Sequence, residues 1–175
     1  PLPGFQAVEQ GFGAVNLMRA WNELQRKKYQ DNVFSGSQYS PGLGYAHGFY
    51  SRGLAPGELT FKIMNNGNVN EQLSIGGLAD WVKPQQYSIQ VPARGERTVN
   101  IKYGELLEPG LYSTFLLADK YSTSEWDVAM LQTVILPYEL GKTKDKAFEE
   151  SGELPAGQFK RYFFRVPENM TSVSF

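Results

Sequence analysis

The sequence contains no cysteine, and this absence removes disulfide bonds, thiolate metal sites and cysteine nucleophiles together. It contains a single histidine, His47, so the usual zinc ligand sets cannot be assembled from histidine and cysteine. The lack of cysteine does not by itself identify the cellular compartment. We therefore expect neither a disulfide nor a metal site, and no cofactor.

The sequence also lacks an excess of charge of either sign, with a formal net charge of −1 at pH 7. This balance gives no electrostatic reason to expect a nucleic acid or an anionic membrane as a partner. No apolar run approaches the roughly 20 residues that a membrane-spanning helix needs. The longest candidate, residues 128–136, is interrupted by Gln132 and Thr133. Residues 1–4 show no signal peptide and resemble chain cut from the middle of a longer protein.

Apolar residues nevertheless make up 41% of the 175 residues and aromatic residues 14%, which is enough to build a hydrophobic core. That content excludes a disordered tail. The length suits one domain, or one domain with fragments of its neighbours.

Near the start, apolar residues recur at helical spacing and predict a helix over about residues 16–28, begun by Asn16 or Gly13. The apolar positions are Val15, Leu17, Met18, Trp21 and Leu24. A helix of this length is marginal on its own. The Trp21 stripe must therefore be buried against a partner, either inside this chain or in a neighbouring domain.

Residues 31–57 are rich in Gly, Ser, Pro and Tyr, and we interpret them as a linker with an opening edge strand. After them, apolar residues alternate with period two and turn residues close each run. The predicted strands lie at 59–63, 73–75, 87–91, 99–103, 112–117 and 130–136. The last two are the most apolar, so we expect them at the centre. This spacing is typical of an antiparallel β-sandwich of immunoglobulin or fibronectin type, here preceded by one helix.

A second boundary is predicted after Tyr138, because residues 141–146 are charged and typical of an exposed connection. Residues 159–166 then alternate as a strand does, and Val173 and Phe175 end the chain in an apparent strand. Two interpretations stay open. These residues either begin a further β domain or add strands to the edge of the sandwich.

Serine-triad catalysis needs a serine, a histidine and an acid within mutual reach. His47 is the one histidine, and the candidate serines near it are Ser35, Ser37 and Ser51. No Gly-x-Ser-x-Gly nucleophile motif accompanies them. We interpret His47 as an ordinary surface or linker residue and predict no catalytic residue in this chain.

The carboxylates give no stronger signal. Asp119, Glu125 and Asp127 surround a predicted hairpin, and acidic loops can bind calcium, but this spacing fits no standard calcium loop. We interpret them as solvated turn charges. The same interpretation applies to the acidic residues of the C-terminal connection, Glu149, Glu150 and Glu153.

Three further patterns are weak. Gly11 and Gly13 do not form a dinucleotide fingerprint, because no apolar strand leads into them and a third glycine is missing. Residues 169–171 match a glycosylation triplet, which matters only in a eukaryotic secretory setting. The abundant aromatic residues are compatible with a sugar-binding face, but most alternate with polar residues as core positions do.

Three segments, in order, resemble the subtilisin-like serine proteases, in particular the tripeptidyl-peptidase II and pyrolysin-like subtilases. Residues 10–21 (QGFGAVNLMRAW) are similar to the Gly-x-Gly-x-(Val/Ile)-(Asn/Gln)-x-x-x-Ala-(Trp/Tyr) run that ends the catalytic domain. Residues 45–54 and the strands after them resemble the sandwich that follows that domain. Residues 154–168 resemble the strand that opens the next β domain. The family's catalytic Asp, His and Gly-Thr-Ser motifs have no counterpart here.

The resemblance implies a division into the last helix of a catalytic domain (1–30), a β-sandwich (31–140), and a linker with the first strands of a further β domain (141–175). It implies an accessory segment that stabilises or orients the catalytic domain, while the parent protein hydrolyses peptide bonds through an acyl-enzyme. The implied partners are that catalytic domain and the parent's peptide or protein substrates, with a homo-oligomer also open. An extracellular location is expected, with a cytoplasmic one as the alternative. The alternative function is a stand-alone binding module, an adhesin or a carbohydrate-binding sandwich.

Overall fold

In the computed structural model, the described residues are 5–11, 15–26, 33–40, 43–53, 57–123, 126–142, 147–170, 172 and 174. Within them, two helices lead into two five-stranded sheets that face each other across one hydrophobic core. The predicted fold class, a mainly antiparallel β-sandwich preceded by a helix, is confirmed.

The elements are arranged as follows. Sheet A contains, in spatial order, β2 (Gly44–Ala46), β1 (Phe34–Ser40), β4 (Glu58–Asn65), β8 (Glu96–Tyr103) and β6 (Val82–Pro84). Sheet B contains β3 (Gly48–Arg52), β10 (Val128–Leu136), β9 (Gly110–Asp119), β5 (Glu71–Gly77) and β7 (Ser88–Val91). A short parallel pair joins β11 (Tyr138–Glu139) to β12 (Phe164–Arg165), with a 3-10 turn at Leu140–Lys142 between them. The helices are α1 (Ala7–Gln10) and α2 (Leu17–Arg26).

The core forms because the strand period of two sends alternate side chains inward. In β8, Val99 and Ile101 are fully buried, whereas Asn100 and Lys102 between and beside them are exposed. Strands β1, β4, β5 and β7 show the same alternation of buried and more exposed residues. Burying one such aliphatic side chain is worth roughly 1.5–3 kcal/mol. The sandwich core is therefore the main source of stability of this chain.

Strands β9 and β10 differ because both of their faces are shielded. Leu116 and Val134 point into the sandwich core, while Phe115 and Ile135 lie on the opposite, outer face and are each only 9% exposed. Strands covered on both sides carry continuous apolar runs instead of alternation. The prediction that these two strands are central is confirmed, since β9 and β10 occupy the middle of sheet B.

For residues 31–57, interpreted as a linker with an opening edge strand, the strand is confirmed and the linker is wrong. The described part of these residues forms three strands, and β1 is an interior strand of sheet A, paired with both β2 and β4. Two glycines of this segment, Gly36 and Gly48, serve close packing, whereas a Cβ on Gly44 or Gly57 would meet nothing within 4 Å. A Cβ on Gly36 would lie 2.6 Å from Val128 Cγ1, and one on Gly48 would lie 2.4 Å from the Leu131 carbonyl oxygen. Strand β3 pairs in parallel with β10, an exception to the antiparallel order.

Three hydrogen-bonded polar side chains lie inside the apolar core and join the two sheets. Gln38 and Gln132 are both 0% exposed. The Gln38 amide nitrogen donates to the Tyr103 hydroxyl at 2.9 Å, and that hydroxyl donates to Gln132 Oε1 at 2.6 Å. The hydroxyl thereby bonds to one polar atom of each buried amide, which lowers the cost of holding these groups away from water. Gln38 Oε1 is buried without a hydrogen-bond partner among the described residues.

The turn after β4 is organised by Asn65, which is also 0% exposed. Its Oδ1 accepts a hydrogen bond from the Gly67 backbone nitrogen at 2.8 Å, and its Nδ2 donates to the Val69 carbonyl at 2.8 Å. A side chain that imitates backbone hydrogen bonds in this way fixes a turn locally. The turn predicted at 65–68 is thus held by the side chain of its first residue.

The N-terminal helix agrees with its prediction. The Arg19 backbone nitrogen donates to Asn16 Oδ1 at 2.9 Å, so Asn16 is the N-cap. The helix begins at Leu17, and its predicted last two residues, Lys27 and Lys28, lie outside the described residues. No helix in the described part of the chain has the length and apolar character needed to cross a membrane.

The C-terminal part contains less strand than the alternation predicted. Of residues 159–166, only Phe164–Arg165 pair as a strand, beside β11. Tyr162 and Phe164, two of the alternating aromatic residues, instead pack into an aromatic cluster. Tyr138, Phe148, Tyr162 and Phe164 form a cluster with ring centroids 4.3–6.4 Å apart. Val173 and Phe175 lie outside the described residues.

Candidate functional site

His47 lies between β2 and β3, exposed to solvent, with its Nδ1 2.6 Å from the Gly36 carbonyl oxygen. Because a carbonyl oxygen only accepts, Nδ1 carries the proton and donates. No hydrogen bond in the described structure joins His47 to Ser35, Ser37 or Ser51. The ring thus holds the loop against β1, which fits the interpretation of His47 as a surface residue; that it is not catalytic stays a prediction.

One acidic residue at the β9–β10 hairpin, Asp127, bonds to its own turn. Asp127 Oδ2 accepts from the Lys120 backbone nitrogen at 2.7 Å and from Thr123 Oγ1 at 3.0 Å. Partial burial and then the negative charge of Asp127 raise the pKa of Asp119. Lys120 forms an ion pair with Glu71. Glu125 lies outside the described residues, and the described ones contain no group of acidic or histidine ligands that could hold a metal ion.

The remaining sequence candidates are separate from one another. Glu150 forms an ion pair with Lys160, and Glu149 and Glu153 are exposed. Gly11 has φ +56° and ends α1, while Gly13 lies outside the described residues. Asn169 is exposed, and Thr171 of the glycosylation triplet is not described.

The most unusual surface of this chain is one face of α2. Successive helix residues turn by roughly 100°, which brings four large apolar side chains onto one side. Their exposed fractions are Leu17 77%, Met18 69%, Trp21 58% and Leu24 51%. Arg19 and Asn22 lie on the other side. We call these four residues the α2 face.

The α2 face is not explained by the fold of this chain. A helix of ten residues is too short to be stable in water by itself, and contiguous apolar surface marks an interaction site more often than a solvated one. The sequence predicted that the Trp21 stripe needs a partner. Within the described residues the sandwich does not supply one, since all four side chains remain more than half exposed.

The preceding helix, α1, behaves differently because it is seated on sheet B. The Val8 backbone nitrogen donates to Ser113 Oγ at 3.0 Å, and the Ser113 nitrogen donates to Gln6 Oε1 at 3.3 Å. Ser113 Oγ also lies 3.1 Å from Thr133 Oγ1 on β10. The α1 segment therefore binds the outer face of β9 and β10, and the helix with the uncovered face follows directly after it.

A second exposed feature lies on the β1–β2 hairpin. Tyr39 and Tyr45 face each other with ring centroids 5.6 Å apart and planes at 66°, and they are 52% and 73% exposed. Other aromatic residues, such as Phe34, Phe49 and Phe61, belong to the core. The tyrosine pair is thus an exposed aromatic patch, whereas those three residues have a packing role.

The comparisons with known proteins agree with one another. No family model matches the chain. It is 23% identical over 178 residues to pyrolysin from Pyrococcus furiosus; the match covers 95% of this chain and 13% of pyrolysin. Its fold matches part of the crystal structure of tripeptidyl peptidase 2 with a TM-score of 0.62 and 19% identity, covering 79% of this chain and 13% of that one. The chain thus spans about one eighth of each of these proteins, and the two matches support a subtilase-associated segment outside the catalytic region.

Proposed function

We propose that this chain is a non-catalytic accessory segment of a subtilisin-like serine peptidase, and that the α2 face packs against the catalytic domain of that peptidase. The observation that carries the proposal is the uncovered α2 face, on a chain similar to short stretches of pyrolysin and tripeptidyl peptidase 2. In this arrangement residues 1–30 complete the catalytic domain, 31–140 form the sandwich, and 141–175 lead to a further domain.

The energetics support such a docking. Fully burying one large apolar side chain is worth roughly 1.5–3 kcal/mol, and the four residues of the α2 face are more than half exposed. Covering them would stabilise both the contact and the short helix that presents them. The adjacent α1 segment is bonded to Ser113 of sheet B. The sandwich would thereby be held against the catalytic domain at a fixed place. This contact would stabilise or orient the catalytic domain.

The reaction itself belongs to the parent protein. A peptide bond would be hydrolysed there through an acyl-enzyme, and no residue of this chain is assigned a role in it. A fluorophosphonate probe should label the parent and leave the isolated 175-residue chain unlabelled. Labelling of the isolated chain would contradict the proposal. We place the protein outside the cell, with the cytoplasm as the alternative.

The docking can be measured by adding this chain to a catalytic domain of the parent that ends before residue 1. We expect a complex, with Trp21→Ala weakening it at least about tenfold, because buried tryptophans often dominate interfaces. The matched control is Trp126→Ala on the β9–β10 hairpin, which is 49% exposed and outside the α2 face. Equal affinities of the two variants would rule out the α2 face as the docking surface.

A stand-alone binding module is the second candidate, favoured by the exposed Tyr39–Tyr45 pair. Exposed tyrosines are common in recognition surfaces, and a glycan array would test a carbohydrate ligand. Binding that Tyr45→Ala abolishes would favour this module. An array without signal, together with complex formation in trans, favours the accessory segment.

A further inference from the structure

Residues 147–165, which we call the strap, pack back onto the end of the sandwich. Phe148 lies 4.3 Å and Phe164 5.7 Å from Tyr138, ring centroid to ring centroid. The Tyr138 backbone nitrogen donates to the Phe163 carbonyl at 2.7 Å, and Arg165 pairs with Glu139 at 3.2 Å. These contacts anchor both ends of the strap where β10 leads into β11.

Between its anchors the strap contacts the N-terminal segment. The Phe159 ring packs edge-on against Phe5, with centroids 5.6 Å apart at 66°. Arg161 forms an ion pair with Glu9, and its guanidinium lies 4.3 Å from the Phe159 ring centroid. The same Glu9 accepts a hydrogen bond from the Gln6 nitrogen at 2.7 Å in the capping box of α1. One carboxylate therefore serves both the start of α1 and the strap.

We propose that the strap locks the α1 segment onto sheet B. The segment bonds to Ser113 of β9 and also contacts Phe159 and Arg161 of the strap, so the chain before the sandwich is held by the chain after it. In the longer protein, the joint between the preceding domain and the sandwich then depends on the strap. The lock is a property of this chain; that a domain precedes it, and that this domain is catalytic, rests on the proposed function.

Hydrogen–deuterium exchange of the full chain tests the lock through the amides of Val8 and Gly11. The Val8 amide bonds to Ser113 and the Gly11 amide to the Ala7 carbonyl. In a Phe159→Ala/Arg161→Ala variant, we expect both amides to exchange about 5- to 30-fold faster, because an aromatic pair, a cation–π contact and an exposed ion pair are lost. Lys160→Ala is the matched control, since Lys160 pairs with Glu150 inside the strap. Equal exchange in the variant and the control would overturn the proposal.

A second measurement detects the proximity of the two segments directly and leaves the Arg161–Glu9 ion pair in place. The chain has no cysteine, so Phe5→Cys/Phe159→Cys introduces one thiol pair that a short bifunctional reagent can join. We expect efficient intramolecular cross-linking. The control pair is Phe5→Cys/Tyr121→Cys, because Tyr121 is fully exposed in the turn after β9, and roughly 20 Å of strand separate Ser113 from the end of β9 at Asp119.

Equal yields for the two pairs would refute the lock. Either result can be obtained without any catalytic domain. Failure of the strap lock and failure of the proposed function are therefore told apart by separate experiments.

Discussion

At the scale of single residues, Tyr103 carries the polar contact between the two sheets. Tyr103→Phe removes a hydroxyl that bonds to Gln38 and Gln132, and both amides then stay buried without this partner. We expect the free energy of unfolding to fall by about 1–3 kcal/mol. Chemical denaturation measures it. Tyr121→Phe is the control, because Tyr121 is fully exposed, and a similar loss in that variant would contradict the assignment.

The same residue makes the chain sensitive to alkali. Burial raises the pKa of Tyr103 well above its ordinary value of 10.0, and the hydrogen bond with Gln38 offsets this in part. Above that ordinary value the unfolded chain loses the phenolic proton while the folded chain keeps it. Stability is therefore fully present below pH ~10 and falls as the pH rises further.

Unfolding free energies measured between pH 8 and 11 should show this fall, and Tyr103→Phe should flatten the part that Tyr103 contributes. An identical slope in the variant would assign the alkaline loss to other groups.

The buried polar contact of Tyr103 with Gln38 and Gln132 was not predictable from the sequence. Gln132 was recognised only as an interruption of an apolar run, because its partner Tyr103 lies 29 residues away in sequence.

At the scale of elements, adjacent glycines in β5 have opposite requirements. A Cβ on Gly77 would lie 2.1 Å from the Val82 carbonyl oxygen, whereas one on Gly76 meets nothing within 4 Å. Gly77→Ala should therefore displace β6 and cost about 1–3 kcal/mol. Gly76→Ala should change stability by less than about 0.5 kcal/mol. Thermal unfolding of both variants measures the difference, and equal midpoints would disprove this close approach.

The elements also show how far the sequence could be interpreted. Strands β4, β8, β9 and β10 were predictable, because apolar alternation or a continuous apolar run marks them. For residues 31–57 only an opening edge strand is predicted and not the interior strand β1, since Gly36, Ser37 and Gln38 have no apolar period. Their fit depends on Val128, Met130 and Tyr103, which lie 65 or more residues away in the sequence.

At the scale of the whole molecule, the strap is held at Tyr138 by its own contacts, outside the hydrophobic core of the sandwich. Phe148→Ala removes the member of the aromatic cluster nearest to Tyr138. We expect faster amide exchange at Tyr138 and unchanged exchange at Ile101, which is fully buried in the core. The loss should correspond to about 1–2 kcal/mol at the strap alone.

Leu154→Ala is the control for this variant, since Leu154 is 58% exposed and also lies in the strap. Parallel loss of protection at Ile101 would show that the strap and the sandwich unfold together.

The candidate docking surface, the α2 face, was predictable in part from the sequence. The Trp21 stripe was visible in the helical period, but the contact of Phe5 with Phe159 joins opposite ends of the chain and carries no local signal.

The turn that Asn65 holds also bears on the chemical ageing of the protein. An Asn-Gly pair deamidates when the glycine nitrogen attacks the asparagine side-chain carbonyl and closes a succinimide ring, with ammonia as the leaving group. Here the pair is Asn66-Gly67, and the Gly67 nitrogen is bonded to Asn65 Oδ1 at 2.8 Å. The nitrogen must leave that bond before it can attack. Folding of this one turn therefore protects the neighbouring asparagine, and the site should deamidate faster in the unfolded chain.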